Sequence, residues 1–164
     1  MGAAVTIGIT AILGTRSCEA PQHDDSPNTL QAIDAPFTAT PVRTDHEPLR
    51  KRFPRLGNFL EAHWHGRTAG TGDSRVPGPS DILIQALVTL HPADLATAKT
   101  HYDWQPAPPT WNQNMSEQLR ALAPQTGDWQ HAPDFETDVR TNRYHGIVYL
   151  DLTSGIVYLD VTSY

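Results

Sequence analysis

The chain has 164 residues, of which 38% are hydrophobic and 18% charged, with 14 prolines and 11 glycines. That length favours one domain with accessory segments, and the composition leaves part of the chain unable to bury enough apolar surface to offset its ordering entropy. A net charge of −6 argues against a nucleic-acid partner, which needs a basic face to displace counterions. The single cysteine, Cys18, excludes an intrachain disulfide.

Residues 1–17 open on an uncharged apolar run, MGAAVTIGITAILG. It is shorter than the ~20 residues of a membrane-spanning helix and matches the apolar region of an export signal. Cys18 follows within a few residues, an order that resembles a bacterial lipoprotein signal, in which the cysteine is lipidated. Ser17 fits that pattern; Arg16 and Thr15 depart from it, and no Lys or Arg precedes the apolar run. The expectation is a signal or anchor segment that makes the cell membrane a partner and places the chain outside the cytoplasm.

Residues 18–48 carry Pro21, Pro27, Pro36, Pro41 and Pro48 without a sustained period of 2 or 3.6. Proline removes a backbone donor and restricts its predecessor, so this stretch reads as an extended tether. A basic cluster follows, Arg50, Lys51, Arg52 and Arg55, read as the solvated start of a single domain over residues 49–164.

Within that domain, the alternation in Phe59 to Arg67 predicts a strand with Phe59, Glu61, His63 and His65 on one side and Leu60, Ala62 and Trp64 on the other. Ile82 to Leu90 predicts a second, half-buried strand with Ile82, Ile84, Ala86, Val88 and Leu90 facing the core and Gln85 and Thr89 on the other side. His91-Pro92-Ala93-Asp94 starts a helix reaching His101 or Tyr102, since proline suits the first helical position and Asp94 the positive end. A proline-broken loop, Trp104 to Asn114, leads to a second short helix over Ser116 to Leu122.

The C-terminus repeats itself: GIVYLDLTS at 146–154 and GIVYLDVTS at 155–163 differ only at Leu152 and Val161. Strict alternation of β-branched and aromatic residues around Thr153-Ser154-Gly155 predicts an antiparallel β-hairpin. Val148, Leu150 and Leu152, with Val157, Leu159 and Val161, form its buried side. Ile147, Tyr149 and Asp151 lie opposite with Ile156, Tyr158 and Asp160, on a face expected to be open. The fold expected is α+β: a mainly antiparallel sheet of four or more strands, two short helices on one face and a C-terminal hairpin.

Two groups of residues carry candidate chemistry. On a strand, Glu61, His63 and His65 point the same way, and imidazole and carboxylate are the ligands zinc and similar divalent metals accept. Gly57-x5-His63-x-His65 resembles the opening of the first cupin motif over nine residues. A cupin would place a glutamate about four residues past the second histidine, where Ala69 and Gly70 stand here, so the more economical reading is a pair of partly exposed polar positions. The second group is the glycine-rich stretch 70–81, with Asp73, Arg75 and Asp81 as candidate ligand-binding residues, because binding groups concentrate on such loops. It lacks the Gly-Lys-Ser/Thr of a phosphate loop, and no Gly-x-Ser-x-Gly elbow occurs anywhere. Trp64, Trp104, Trp111 and Trp129 read as core or lid residues.

The run AHWHGRTAGTGDSRVPGPSDILIQALVTL, a helix, a tryptophan-containing loop and RYHGIVYLD together resemble small exported, lipoprotein-like proteins of actinobacteria. The likeness spans about Leu56 to Tyr164. It implies an extracytoplasmic domain and assigns no residue a role. The function expected is a non-enzymatic, membrane-tethered cell-envelope domain binding an unknown protein or small ligand, with a metal-binding protein or metal-dependent enzyme using the His-x-His strand as the alternative.

Overall fold

The computed structural model describes residues 40–69 and 81–164. They form a six-stranded antiparallel sheet in the order β1-β2-β6-β5-β4-β3, with four helices. The strands are β1 (Glu61–Ala69), β2 (Asp81–Thr89), β3 (Gln105–Pro106), β4 (Trp129–His131), β5 (Tyr144–Asp151) and β6 (Ile156–Ser163). The helices are α1 (Glu47–Arg52), α2 (Pro92–His101), α3 (Glu117–Arg120) and α4 (Pro133–Arg140).

The C-terminal repeat forms the centre of this sheet. Its two units pair in a self-complementary register, Ile147 with Asp160, Tyr149 with Tyr158 and Asp151 with Ile156, so each unit meets the other in reverse. The second unit also pairs with β2 along Leu83–Thr89, which buries the hairpin's outer edge. β5 ends at Asp151, one residue short of expectation. Leu152 therefore sits in the turn, half-buried against the core. Gly155 closes that turn with φ of 75° and a bond from its N–H to the Asp151 carbonyl at 2.8 Å.

Alternation sorts the two faces. On one, Trp64, Ile84, Ala86, Val88, Val148, Leu150, Val157 and Leu159 form a continuous core with Leu49 of α1, Ala98 of α2, and Phe135 and Val139 of α4. The longer helices α2 and α4 share this face; of the two helices expected together from the sequence, starting at His91 and Ser116, only the first is here, and the second, α3, lies on the opposite side of the sheet. The basic cluster lies on α1 and the 3-10 turn Pro54–Leu56 that follows it, where Leu49, Phe53 and Leu56 turn inward and are buried.

The opposite face differs from expectation. Tyr158 is fully buried, and Tyr149 and Leu87 nearly so, because residues 107–125 fold over them and contribute Met115 and Leu119 to a second core. Period 2 separates two faces of a strand but says nothing about whether the more polar one is covered. The sheet is therefore a middle layer, with helices on one side and a loop-and-α3 lid on the other.

Residues 40–46 also pack on the sheet. Arg43 forms a β-bridge with Trp64 and lays its guanidinium over the indole at 4.1 Å, and the Trp64 indole N–H donates to the Asp45 carbonyl at 3.0 Å. Among the described residues, no helix is long and apolar enough to cross a membrane.

Candidate functional site

The lid begins where β3 pairs with β4. Pro108 and Pro109 forbid regular pairing, and the chain turns repeatedly, with Trp111 N–H on the Pro108 carbonyl at 2.9 Å and Met115 N–H on the Asn112 carbonyl at 3.1 Å. Ser116 then caps α3, its Oγ accepting from the Leu119 N–H at 3.3 Å. Arg120 reaches back from α3 and donates to the carbonyls of Asn112 at 2.9 Å and Met115 at 3.1 Å.

Two buried polar side chains of the sheet fasten this lid. Gln85 of β2 donates through Nε2 to the Asn114 carbonyl at 2.7 Å and accepts through Oε1 from the Ser116 N–H at 3.0 Å. His65 of β1 lies beside Gln85 in the ladder and places Nε2 3.0 Å from Ser116 Oγ. Burial pushes the His65 imidazole below the usual histidine range, against the backbone groups of Pro41 and Thr40, which favour its charged form. His65 and Ser116 are both buried, and the hydroxyl already caps a helix, so the pair acts as a latch rather than as a nucleophile and its base.

Next in the same rows stand Asp160 and Tyr158, the tyrosine hydroxyl 3.5 Å from Asp160 Oδ2. Burial raises the Asp160 carboxyl above the usual range, with Gln85 and Tyr158 opposing. Tyr158 is pushed far above the normal phenol range by burial and then by the Asp160 charge.

Between the lid and β4 lies a cleft of about 490 Å3, lined by Trp111 and Asn112, Arg120, residues 123–127, and Trp129. That volume falls within the ~300–1,000 Å3 of small-molecule sites. Trp111 stacks on Trp129 with ring centroids 4.1 Å apart and an interplanar angle of 27°. Tyr149 and Tyr158 meet the Trp111 ring edgewise, each at 5.9 Å. Trp111 and Trp129 thus form one wall of the cleft, and the buried rings of Tyr149 and Tyr158 support Trp111 from behind.

Trp129 is 9% exposed, and its buried indole Nε1 has no hydrogen-bond partner among the described residues. Gly127, on the cleft lining, approaches the same atom: a Cβ there would lie 3.0 Å from Nε1 and 2.8 Å from Asp151 Oδ2. Asp151 is 1% exposed and holds this corner, accepting from the Asp128 N–H at 2.8 Å, the Thr153 N–H at 3.0 Å and the Ser154 hydroxyl at 2.6 Å. An unanswered buried donor costs about 1–3 kcal/mol, and this one belongs to a residue that lines the cleft.

A smaller cleft of about 260 Å3 lies on the helical face. There Arg55, Asp94, His101 and Asp138 ring a floor that includes Leu56, Leu90 and Phe135, and the Tyr102 hydroxyl donates to Asp138 at 2.9 Å.

The residues singled out from sequence fall elsewhere. Glu61, His63 and His65 do share one side of β1, but the strand starts at Glu61, so Phe59 falls outside the alternation and packs into the core while Leu60 is exposed. Successive same-side residues stand ~6.6 Å apart on a strand, so Glu61 and His65 diverge along it, and the imidazole of His65 is taken up under the lid. Among the described residues, no group of three His, Cys, Asp or Glu side chains is placed to hold a metal ion. Asp81 is the exposed first residue of β2, separated from β4 by β6 and β5. Asp73, Arg75 and Cys18 lie outside the described residues. The stacked pair Trp111 and Trp129 went unread as a site because the two are distant in sequence and meet only through the lid. The spacing of Trp111, Met115 and Leu119, four residues apart each time, was the available sign of a second apolar layer. In comparisons with protein-family models, curated proteins and solved structures, nothing matched this chain.

Proposed function

We propose that the chain is a non-enzymatic binding domain, displayed outside the cytoplasm on an N-terminal tether, and that its ligand seats in the cleft of Trp111 and Trp129. The observation that carries this reading is the buried, unpartnered indole N–H of Trp129, a residue that lines a cleft walled by aromatic rings. Binding sites combine apolar walls with a few placed polar groups, and a donor left unpaired in the free protein is one that a ligand acceptor can satisfy. The latch role of His65 and Ser116 removes the most obvious catalytic pair and so favours binding over catalysis. Display rests on the sequence: the uncharged apolar run at Met1 to Gly14, Cys18 after it, the proline-broken tether, and the resemblance to exported actinobacterial proteins.

Two experiments test the two halves. For display, cell fractionation with mass analysis of the N-terminal peptide should find the chain in the membrane fraction with Cys18 modified. An unmodified Cys18 in the cytosol would remove that half. For the cleft, a chemically diverse fragment library should contain compounds that raise the melting temperature of the wild type and not of Trp111→Ala. A library without such compounds would count against a ligand site there.

A further inference from the structure

We infer that the cleft between Trp111 and Trp129 receives a pyranose ring of a saccharide, an inference that rests on the cleft being the ligand seat. The argument is one of matching chemistries. The wall is aromatic and includes two stacked indoles, of which Trp111 is part-exposed. An indole face carries negative quadrupole charge, and the C–H face of a pyranose carries the complementary positive hydrogens. Around this wall stand Asn112, Gln125, Thr126 and Arg120, with the Trp129 N–H behind them. Amide and hydroxyl groups both donate and accept, which suits the alternating hydroxyls at a sugar's rim.

Other ligand classes fit less well. No carboxylate lines the cleft, although the chain as a whole carries a charge of −6, so a cation finds no counter-charge on the walls. The aliphatic lining is confined to Ala123 and Pro124, too little for an acyl chain. A flat aromatic ligand would satisfy the indoles but leave the ring of amides and hydroxyls facing a bare C–H edge. A sugar ring uses both. Arg120, fixed by three carbonyls of residues 112–115, adds positive charge to the wall and extends the same chemistry to uronic acids.

The test applies the fluorescently labelled full chain to an immobilised glycan array, then titrates it with four soluble oligosaccharides: maltotriose, cellotriose, N-acetylglucosamine trimer and galacturonic acid trimer. The array should retain the wild type on at least one glycan class, and a matching soluble oligosaccharide should perturb tryptophan fluorescence saturably. Trp111→Phe, which keeps an aromatic wall, should weaken binding about tenfold. Gln125→Ala, at an exposed position, should weaken it several-fold with an unchanged melting temperature. Retention of no glycan, while other fragments still bind in the cleft, overturns the saccharide and leaves the binding site standing. Glycan binding unaffected by Trp111→Phe and Gln125→Ala overturns the placement.

Discussion

Gly146 and Gly155 open two nearly identical nine-residue units, so local propensity predicts that alanine at either position should have the same effect. The structure separates them. Gly146 lies inside β5 with φ of 131°, and a Cβ there would collide with the Asp160 carbonyl oxygen and sit 2.8 Å from the Val161 Cα, both backbone atoms of the central strand β6. Gly155 lies in the turn with φ of 75°, and its Cβ would meet the Leu95 side chain at 2.9 Å, a group that can rotate away. Left-handed backbone costs a residue with a side chain about 1–2 kcal/mol, which sets the expectation for Gly155→Ala. For Gly146→Ala the conformation is one that only glycine adopts readily, costing about 1–3 kcal/mol, and relieving the collision requires parting β5 from β6 and losing hydrogen bonds at about 1 kcal/mol each. A total above about 3 kcal/mol would remove much of the ~5–15 kcal/mol that holds a domain folded. The unfolded-state effect of glycine to alanine is common to both sites and cancels in the comparison. Urea unfolding followed by tryptophan fluorescence measures the difference. Equal losses, or a larger loss for Gly155→Ala, would refute the register assigned to the hairpin.

The lid makes two further predictions. Gln85→Ala strips partners from the Asn114 carbonyl and the Ser116 N–H and should cost about 1–3 kcal/mol. Hydrogen exchange should then accelerate in residues 107–123 more than in β5 and β6; uniform acceleration would show that Gln85 does not act on the lid. His65 gives a pH dependence. Its folded pKa lies below the unfolded value of about 6.5 because of burial, so the folded state binds the proton less readily. The stability this contributes is present above about pH 6.5 and is lost as pH falls toward the folded value. Glu136 and Asp160, both raised chiefly by burial, act in the opposite sense: their stabilising contribution is present at acid pH and is lost as pH rises past about 4 through their folded values. Chemical denaturation of wild type and His65→Gln at pH 7.5 and 5.5 isolates the histidine. The wild type should lose more on acidification, and parallel losses would contradict the assignment.

Much of the architecture was legible because the strands bury β-branched residues at alternate positions. Ile82 to Leu90 and the repeated GIVYLD units carry that signal with little ambiguity, and His91-Pro92 marks the start of α2, where the His91 ring accepts from the Ala93 N–H at 3.3 Å. Four elements went unread for different reasons: α1 lies in a tract that reads as a solvated basic entry, and β3, two residues long, lies inside a proline-broken loop. β4 is three residues long, too short to show any period. α4 did carry the marks of a helix, with Pro133 at its first turn, Asp134 and Glu136 after it and Arg140 at its end, but the tract resembles the proline-rich loops around it. The second layer was the larger omission. Leu83, Leu87 and the two tyrosines already made the second face apolar, yet alternation alone cannot say what covers a face. Trp111 and Trp129 become a pair only after the β3–β4 register and the lid's turns bring them together, which no local pattern encodes.

The indole protons test this account most directly. In a two-dimensional 1H–15N spectrum, Trp64 and Trp104 serve as internal references, since their N–H groups already donate to the Asp45 and Ala98 carbonyls at 3.0 Å. In the free protein the Trp129 indole proton should resonate upfield of both. On titration with the fragment or glycan that most raises the melting temperature, it should move downfield while the two references stay fixed. A Trp129 resonance that starts among the references, or that stays still when ligand binds, would contradict the claim that this donor is held in reserve for a ligand.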